Sequence, residues 1–439
     1  MKKIFLITIL VLCALSRLTA EGGVEFSGEI ETLWGTGAPW TDKDVAAGKF
    51  TLGTAAFTGK LDAYFGNSSA YAEATLSYDA ANQQGGNLSG GLDLSLGELW
   101  VDYTDSVWGV RIGRQKTAWG KADGIDITNV LCPSDMSSFA AMISDDSKLA
   151  VDAVRFSITG NQFTIDAYWI PFFTPAALPF DEGNSLRSFI VPLSMDFSVA
   201  PDQTLTLPVT IGGLEAPELT IWNGEYGLKL SGYFSALDLS FYGFYGWDDM
   251  PFMSYDMEFS TVQPGLPVAV TICGKYERMA MIGADAALPI GETVLRLETA
   301  FFPQRHFQKM EGGSSKRNQL SALAGIDWMP TGWTLTAQYY CDLVFGELDI
   351  LERADAYTHG TTISVSKSLV NETLELSLSG MLGLNDFDSM ISPSVKYSLS
   401  DQISIGAAAY LFIPGPERDG QYGAYKDLSS LCINAKFSF

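Results

Sequence analysis

The clearest pattern in the chain is an alternation of apolar and polar side chains over short segments. In the last nine residues, Leu431, Ile433, Ala435, Phe437 and Phe439 are apolar, and small or polar residues stand between them. Side chains on a β-strand point to alternate faces, so this segment has one apolar and one polar face. That pattern is typical of the closing strand of a bacterial outer-membrane β-barrel, and also of a half-buried edge strand.

The same alternation recurs in pairs of segments along the chain. Short turns such as 66–69, 330–332 and 400–401 separate the two members of a pair, and longer connections separate the pairs. Tight turns at one end and long loops at the other are how outer-membrane barrels are built. The pattern therefore predicts an all-β, antiparallel, up-and-down transmembrane barrel of about 18 strands, with 16 or 20 as the neighbouring even counts. A phase shift near Gly97 predicts a β-bulge.

The beginning of the chain predicts export. Lys2 and Lys3 precede an apolar run over 4–15, and Leu18-Thr19-Ala20 follows. This is the pattern of a secretory signal peptide over 1–20, cleaved near Ala20. The remaining residues, 21–439, are interpreted as a single barrel domain in the outer membrane of a double-membrane bacterium, in contact with its lipid. Apolar content is 47%, yet no later run of ~18 apolar residues predicts a spanning helix.

Charge is the next constraint. The net charge is −24 at pH 7, which disfavours nucleic-acid binding because that function needs a basic surface. A barrel of this width leaves an aqueous lumen unless a loop folds into it. On the predicted register the inward positions carry more acids than bases, which favours cations. The inward charged positions taken as lumen lining are Glu98, Asp102, Arg111, Arg155, Asp166, Glu225, Lys229, Arg296 and Glu298.

Two connections are long enough to suggest a function. The loop over 117–148 carries the acids Asp123, Asp126 and Asp135, and it predicts an acidic constriction if it folds into the lumen. Ser134 or Asp135 is expected to cap a short helix that ends at Met142. The connection over 171–221 is longer still and is expected to cap part of the mouth.

The segment VRIGRQKTAWGKADGIDITNVLCPSD resembles the GRQ…WG…D…P.D segment of a group of large bacterial outer-membrane porins, which includes alginate-export-like and related uncharacterised barrels. The resemblance implies a porin fold. It also implies a set of residues that shape the constriction: Arg111, Arg114, Gln115, Trp119, Gly120, Asp123, Pro133 and Asp135. An alginate exporter is expected to have a basic lumen, so the acidic lumen predicted here argues against alginate as the substrate.

These patterns predict a channel for passive diffusion of small hydrophilic solutes or cations. The alternative is a surface-exposed barrel that acts as an adhesin or a structural outer-membrane protein. We expect no enzyme activity, metal or cofactor, because the chain has two histidines with no nucleophile at a telling spacing, and its cysteines lack metal spacing. The strand ending at Phe439 is expected to engage the barrel-assembly machinery. Monomer and trimer both remain open, and a sugar-stacking track is a further hypothesis for Trp100, Tyr168, Tyr242 and Tyr340.

Overall fold

The computed structural model describes most of the chain outside its first 21 residues. The described residues are 22–43, 46–80, 91–144, 146–180, 184, 186, 187, 191, 194–200, 203–261 and 265–439. The predicted signal peptide over 1–20 lies outside them. No helix in the described residues is long and apolar enough to cross a bilayer.

The described chain contains 22 strands and two short α-helices. The strands are β1 Gly22–Gly37, β2 Phe50–Phe65, β3 Ser68–Asp79, β4 Leu92–Thr104, β5 Trp108–Gln115, β6 Val151–Thr159, β7 Phe163–Ile170, β8 Ser194–Ala200, β9 Gln203–Glu215, β10 Glu225–Tyr233, β11 Asp238–Trp247, β12 Phe252–Phe259, β13 Pro267–Lys275, β14 Arg278–Ile290, β15 Thr293–Gln308, β16 Ser314–Trp328, β17 Trp333–Phe345, β18 Tyr357–Leu369, β19 Leu374–Gly383, β20 Ser389–Ser398, β21 Ile403–Ile413 and β22 Ser430–Ser438. The helices are α1 Phe139–Met142 and α2 Gly420–Gly423, and two 3₁₀ turns lie at Ile221–Asn223 and Lys426–Leu428.

Eighteen of these strands form one closed antiparallel sheet, and the predicted barrel is confirmed. The first and last strands close it, because β1 pairs with β22 from Glu29↔Ser438 to Gly37↔Ser430. Phe439 extends this pairing through backbone hydrogen bonds with Gly28, at 2.9 and 3.0 Å. Since every strand then has two neighbours, the barrel has no open edge to expose unpaired backbone groups to lipid.

The alternation that predicted the strands also sets their two faces. On β4, Leu99 and Val101 expose 50% and 60% of their surface to the outside, whereas Asp102 between Val101 and Tyr103 is 8% exposed and lies inside. The predicted bulge is present, because β4 opposes Ala72 with Leu99 and Ala74 with Leu96. This bulge restores the apolar residues to the outer face after the phase shift.

The short turns need backbone conformations that favour glycine. Gly66, Gly291 and Gly332 have φ of +56°, +62° and +70° in the turns after β2, β14 and β16. These turns gather at one end of the barrel, as the alternation of short and long connections predicted. In outer-membrane barrels the end with tight turns faces the periplasm, and the long loops face the exterior.

The structure differs from the sequence prediction in two of the long external connections. The connection over 171–221 was expected to be a loop, yet it contains β8 and β9. These strands join β12 and β13 from the next external connection in a separate four-stranded sheet of order β12-β13-β9-β8. The parallel pairing of β13 with β9 ties the two connections together.

Candidate functional site

The connection between β5 and β6, which we call the constriction loop (117–148), leaves the barrel wall and packs against the lumenal face of distant strands. At its start, Gln115 is 1% exposed and donates from Nε2 to the Ala153 carbonyl at 2.9 Å. Glu98 accepts a hydrogen bond from the Lys116 backbone N–H at 2.7 Å. These two contacts turn the chain inward at the end of β5.

A buried aromatic cluster holds the first part of the loop. Trp119 is 4% exposed, and its ring lies 5.0 Å from that of Tyr242 and 5.8 Å from that of Tyr168. On β10, a Cβ at Gly227 would lie 3.1 Å from the Trp119 ring, so the missing side chain makes room for the indole. Tyr168 and Tyr242, two of the four residues in the hypothesis of a sugar-stacking track, are therefore covered by the loop.

The Glu298 carboxylate, on the lumenal face of β15, binds the backbone of the loop. It accepts hydrogen bonds from the backbone N–H groups of Lys121, Ala122 and Thr128 at 2.6, 2.7 and 2.8 Å, and from the Thr128 hydroxyl at 2.8 Å. A side chain at Gly120, where φ is +89°, would collide with this carboxylate. A buried charge needs such partners, and here the loop backbone supplies them.

Neighbouring strands extend this attachment. Arg296 donates to the Lys121 carbonyl at 2.7 Å and forms an ion pair with Asp327 on β16. Gln338 on β17 makes two hydrogen bonds to the backbone of Asp123, accepting from its N–H at 3.0 Å and donating to its carbonyl at 2.7 Å. The first arm of the loop (119–129) thus crosses the lumenal faces of β11, β15 and β17. We call the lumenal residues beneath this arm the anchored wall: Tyr242, Asp285, Arg296, Glu298 and Asp327.

The second arm of the loop (137–144) packs on a different part of the barrel. It contains α1, in which Phe139 is 4% exposed and lies 5.9 Å, ring to ring, from Tyr410 on β21. Ser138 caps this helix, accepting the Ala141 N–H at 3.1 Å. The prediction of a helix ending at Met142 is confirmed, but the expected caps were wrong, because Ser134 and Asp135 instead form bridges with Lys148 and Ala177.

Two predicted acids of the loop serve local contacts. Asp126 forms an ion pair with Lys148 at 2.5 Å and accepts from Asn129 at 3.0 Å. Asp135 accepts the Ser137 N–H at 2.9 Å.

Cys132 at the loop's base accepts from the Thr117 N–H at 3.3 Å, and its burial raises the pKa of the thiol to about 11. The base of the loop is therefore internally bonded.

Three of the charged residues predicted on β4, β5 and β6 form one cluster. Asp102 pairs with Arg111 at 2.9 Å and with Arg155 at 3.7 Å, and the Arg111 guanidinium lies 3.6 Å from the centroid of the Trp100 ring. Arg114 pairs instead with Asp152 at 3.4 Å, in register with Leu99 of the exposed outer face. Its placement is therefore apart from the lumenal cluster.

The remaining predicted site residues lie on β7 and β10. Asp166 accepts from the Ser157 hydroxyl at 2.5 Å. Glu225 is 5% exposed at the external end of β10 and accepts the Trp247 N–H at 2.9 Å. The Lys229 ammonium lies 5.6 Å from the centroid of the Tyr242 ring. Each of these groups has a partner on the barrel wall.

A cavity of about 630 Å³ remains between the two arms of the loop and the opposite wall. Asp123 and Gly124 border it from the first arm, and Met142, Ile143 and Ser144 border it from the second. Its remaining border is a surface that we call the hydroxyl wall. This wall consists of the cavity-lining hydroxyl residues of β17–β20: Thr336, Thr362, Ser364, Ser366, Ser377, Ser379, Ser392 and Ser394. Glu375 and Lys396 lie at its lower margin, which is the margin nearest the short turns, and they are in register with each other.

Sequence reasoning missed Gln338 and the hydroxyl wall. The signal was present, since Ser and Thr alternate with Leu, Ile and Val along β18 and β19. The predicted lumen lining consisted of charged inward positions, and it therefore did not include these neutral ones. Among the predicted charged positions, Glu98, Arg296 and Glu298 hold the loop, and the others contact partners along the barrel wall. The neutral positions border the cavity.

The structure also places a serine and a carboxylate beside His306, on the external ends of β15 and β16. His306 Nδ1 lies 2.8 Å from the Ser314 hydroxyl, and Nε2 lies 3.7 Å from Glu277. An acyl-transfer site also needs free donors for the oxyanion. The two residues directly before Ser314 in the chain are Gly312 and Gly313. Their backbone N–H groups already donate to the carbonyls of Lys309 and Met253, respectively. Neither of these two N–H groups is therefore free to act as such a donor.

Comparison with protein families gives one match, to the family described as "Protein of unknown function (DUF1302)", over residues 43–420. That span includes the constriction loop and all but the first and last parts of the barrel. The chain belongs to the DUF1302 family. No curated protein matches the sequence.

Solved structures resemble this DUF1302 protein in fold. OccAB1 of Acinetobacter baumannii has a TM-score of 0.53 at 9% identity, covering 95% of this chain and 96% of that chain. OccK8 (OprE) of Pseudomonas aeruginosa has a TM-score of 0.52 at 10% identity, covering 95% and 98%. OccAB4 of A. baumannii has a TM-score of 0.51 at 7% identity, covering 96% and 99%. The likeness shows that this DUF1302 chain has a porin-like barrel fold.

Proposed function

We propose that this protein is an outer-membrane channel for passive diffusion of small hydrophilic solutes, with a preference for cations. The observation that carries the proposal is the position of the constriction loop inside the barrel. It folds into a closed eighteen-stranded barrel and leaves a polar cavity of about 630 Å³ beside the wall. A barrel of this size has a lumen that its own side chains do not fill, so the loop sets the width.

The attachment of the loop supports a passage of fixed width. Glu298 and Gln338 hold the first arm through hydrogen bonds, and Phe139 holds the second arm through packing. Both arms thus rest on strands, which position a site more rigidly than loops do. In this proposal the protein selects solutes by width and lining charge and performs no chemistry on them.

The preference for cations rests on the charges that border the cavity. Among the described lining residues, Asp123 and Glu375 are acidic and Lys396 is basic. Asp123 stands on the loop itself, opposite the hydroxyl wall. A single acidic group at a narrow passage raises the local concentration of cations, and salt screens this effect over about 8–10 Å.

The cellular setting follows from the same proposal. Residues 1–20 act as an export signal, the outer face of the barrel contacts outer-membrane lipid, and the strand ending at Phe439 is read by the barrel-assembly machinery. The connection over 171–221 caps part of the mouth through β8 and β9. Assembly as a monomer or a trimer is left open in this proposal.

A surface-binding role is the second candidate, and the external four-stranded sheet favours it. Its strands β12 and β13 and the turn between them expose Met257, Phe259, Leu266 and Val268 by 42–56%. Exposed apolar side chains grouped outside a membrane mark a surface for a partner. An adhesin or structural protein would use this sheet, and the lumen would not need to conduct.

Single-channel recording in planar bilayers under a KCl gradient tests the channel. We expect a stable conductance with a reversal potential on the cation side, and a smaller cation preference for Asp123→Asn. Asp401→Asn, in an exposed periplasmic turn, is the matched control and should leave the reversal potential unchanged. Anion preference of the unmodified protein would refute the assigned selectivity. Absence of conductance in folded protein would refute the channel and favour the surface-binding role.

A further inference from the structure

Hydroxyl groups form ordered rows on the lumenal face of four adjacent strands. In one row Thr336 pairs with Ser364, Ser364 with Ser379, and Ser379 with Ser392, from β17 to β20. In a second row Ser366 pairs with Ser377, and Ser377 with Ser394. Neighbouring strands lie about 4.8 Å apart, so each row presents hydroxyls at a regular spacing.

These hydroxyls keep capacity for a ligand. Ser377 and Ser394 share a hydrogen bond at 2.6 Å, and Gln338 donates to the Thr362 hydroxyl at 2.7 Å. A hydroxyl has one donor and two acceptor positions, so a single internal bond leaves at least one position open. A solute with several hydroxyl groups can exchange hydrogen bonds along both rows.

The cavity has the size and the borders for such a solute. Its volume of about 630 Å³ lies within the range of small-molecule sites, about 300–1,000 Å³. Met381, Met390 and Tyr410 add an apolar border at its external side. An apolar border suits the C–H face of a sugar ring, while the hydroxyl rows suit its O–H groups.

The lining also disfavours organic anions. The hydroxyl wall contributes eight hydroxyl residues to the border of the cavity, and the charged residues there are Asp123, Glu375 and Lys396. A carboxylate that sheds water here finds neutral hydroxyls, two acids and one lysine, Lys396, which stands in register with the acid Glu375. The charged lining therefore sums to a negative value, and removing an anion from water without a free countercharge is costly. A neutral polyol loses and regains hydrogen bonds of similar strength, because hydroxyls replace water one for one.

We propose that the hydroxyl wall is a binding track for uncharged polyhydroxylated solutes of the size of a monosaccharide or disaccharide. This inference rests on the proposed channel function and names its solute class. Glucose then permeates faster than gluconate, which has a similar size and one carboxylate. Small hydrated ions still pass, because they need no contact with the rows.

The test measures efflux of radiolabelled glucose and gluconate from proteoliposomes, together with KCl conductance. The test variant carries Ser364→Ala, Ser366→Ala, Ser377→Ala and Ser379→Ala, which removes four hydroxyls without narrowing the cavity or changing charge. The matched control removes four lumenal hydroxyls on other strands: Ser27→Ala, Ser69→Ala, Ser77→Ala and Ser95→Ala.

We expect faster efflux of glucose than of gluconate from the unmodified protein. The test variant should lower glucose efflux by roughly threefold to tenfold, with KCl conductance unchanged. The control variant should change neither. Equal glucose efflux from the test variant and the unmodified protein would overturn the track while leaving the channel intact. Absence of KCl conductance in the unmodified protein would overturn the proposed channel function, and the binding track with it.

Discussion

The anchored wall and the hydroxyl wall are neighbouring parts of one lumenal surface with opposite chemistry. On the anchored wall, Asp285 binds Tyr242, Arg296 binds Asp327, and Glu298 binds the loop backbone. On the hydroxyl wall the side chains are neutral and border the cavity. A charged inward residue of a wide barrel can therefore hold a loop and need not line the pore.

The difference has a physical cause. The loop brings unpaired backbone N–H groups into the lumen, and buried donors need acceptors. A carboxylate such as Glu298 satisfies several donors at once. A wall that must let solutes leave gains nothing from strong fixed charges, because tight binding slows release. One part of the surface therefore holds the loop, and the other part borders the cavity.

The largest expected effect comes from removing the aromatic anchor of the loop. Trp119→Ala leaves a cavity between Tyr168 and Tyr242 and should cost about 3–5 kcal/mol of local stability in the first arm. We expect faster hydrogen exchange over 117–132 and a larger, noisier conductance. Trp40→Ala is the control, since that ring is 65% exposed in an external loop. Unchanged exchange and conductance would show that Trp119 does not hold the constriction.

A smaller effect is expected from neutralising the carboxylate that binds the loop. In Glu298→Gln one amide oxygen remains as acceptor, and the amide nitrogen meets the donors that Glu298 had satisfied. Each buried donor left without an acceptor costs about 1–3 kcal/mol. Hydrogen exchange of Lys121, Ala122 and Thr128 should accelerate, with the barrel strands unaffected.

The matched control for this variant is Glu292→Gln, in the exposed turn after β14. It removes the same charge from a position far from the loop. If Glu298→Gln changed only ion selectivity and left exchange of the loop untouched, Glu298 would be a lining charge. The distinction between the two walls would then fail.

The barrel was predictable from sequence because its signal is local. Each strand carries its own alternation, as between Leu99 and Tyr103, and each short turn carries its own Gly or Asn, as at Gly66. The β8–β9 region also alternates, as in Thr204, Leu205, Thr206 and Leu207. The second partner of β9, however, is β13 in another loop, and the alternation of a strand does not indicate which distant segment it pairs with.

The site was less predictable because the fate of an inward side chain depends on what reaches it. Glu298 and Asp123 are both acids at candidate lumenal positions. The loop backbone covers Glu298, whereas Asp123 uses its backbone to bind Gln338 and borders the cavity. Nothing in the spacing of residues 117–148 indicates which strands the loop contacts. That information lies in tertiary contacts such as Trp119 with Tyr242.

The smallest effect concerns the two charges at the lower margin of the hydroxyl wall. Glu375 and Lys396 face each other in register on β19 and β20. Glu375→Gln should shift the reversal potential in a KCl gradient toward the anion side, and Lys396→Met should shift it toward the cation side. Each shift should be smaller than that of Asp123→Asn, because the opposite charge nearby and the salt screen the field.

The double variant Glu375→Gln, Lys396→Met separates an effect of these charges on passing ions from a structural role. If the pair acts on ions in the open cavity, the two shifts cancel and the reversal potential returns to that of the unmodified protein. A double variant that instead loses conductance, or that unfolds at lower denaturant concentration, would show these charges holding structure as Glu298 does. The hydroxyl wall would then share the role of the anchored wall at its lower margin, and the solute-facing surface would be confined to the rows of Ser and Thr above it.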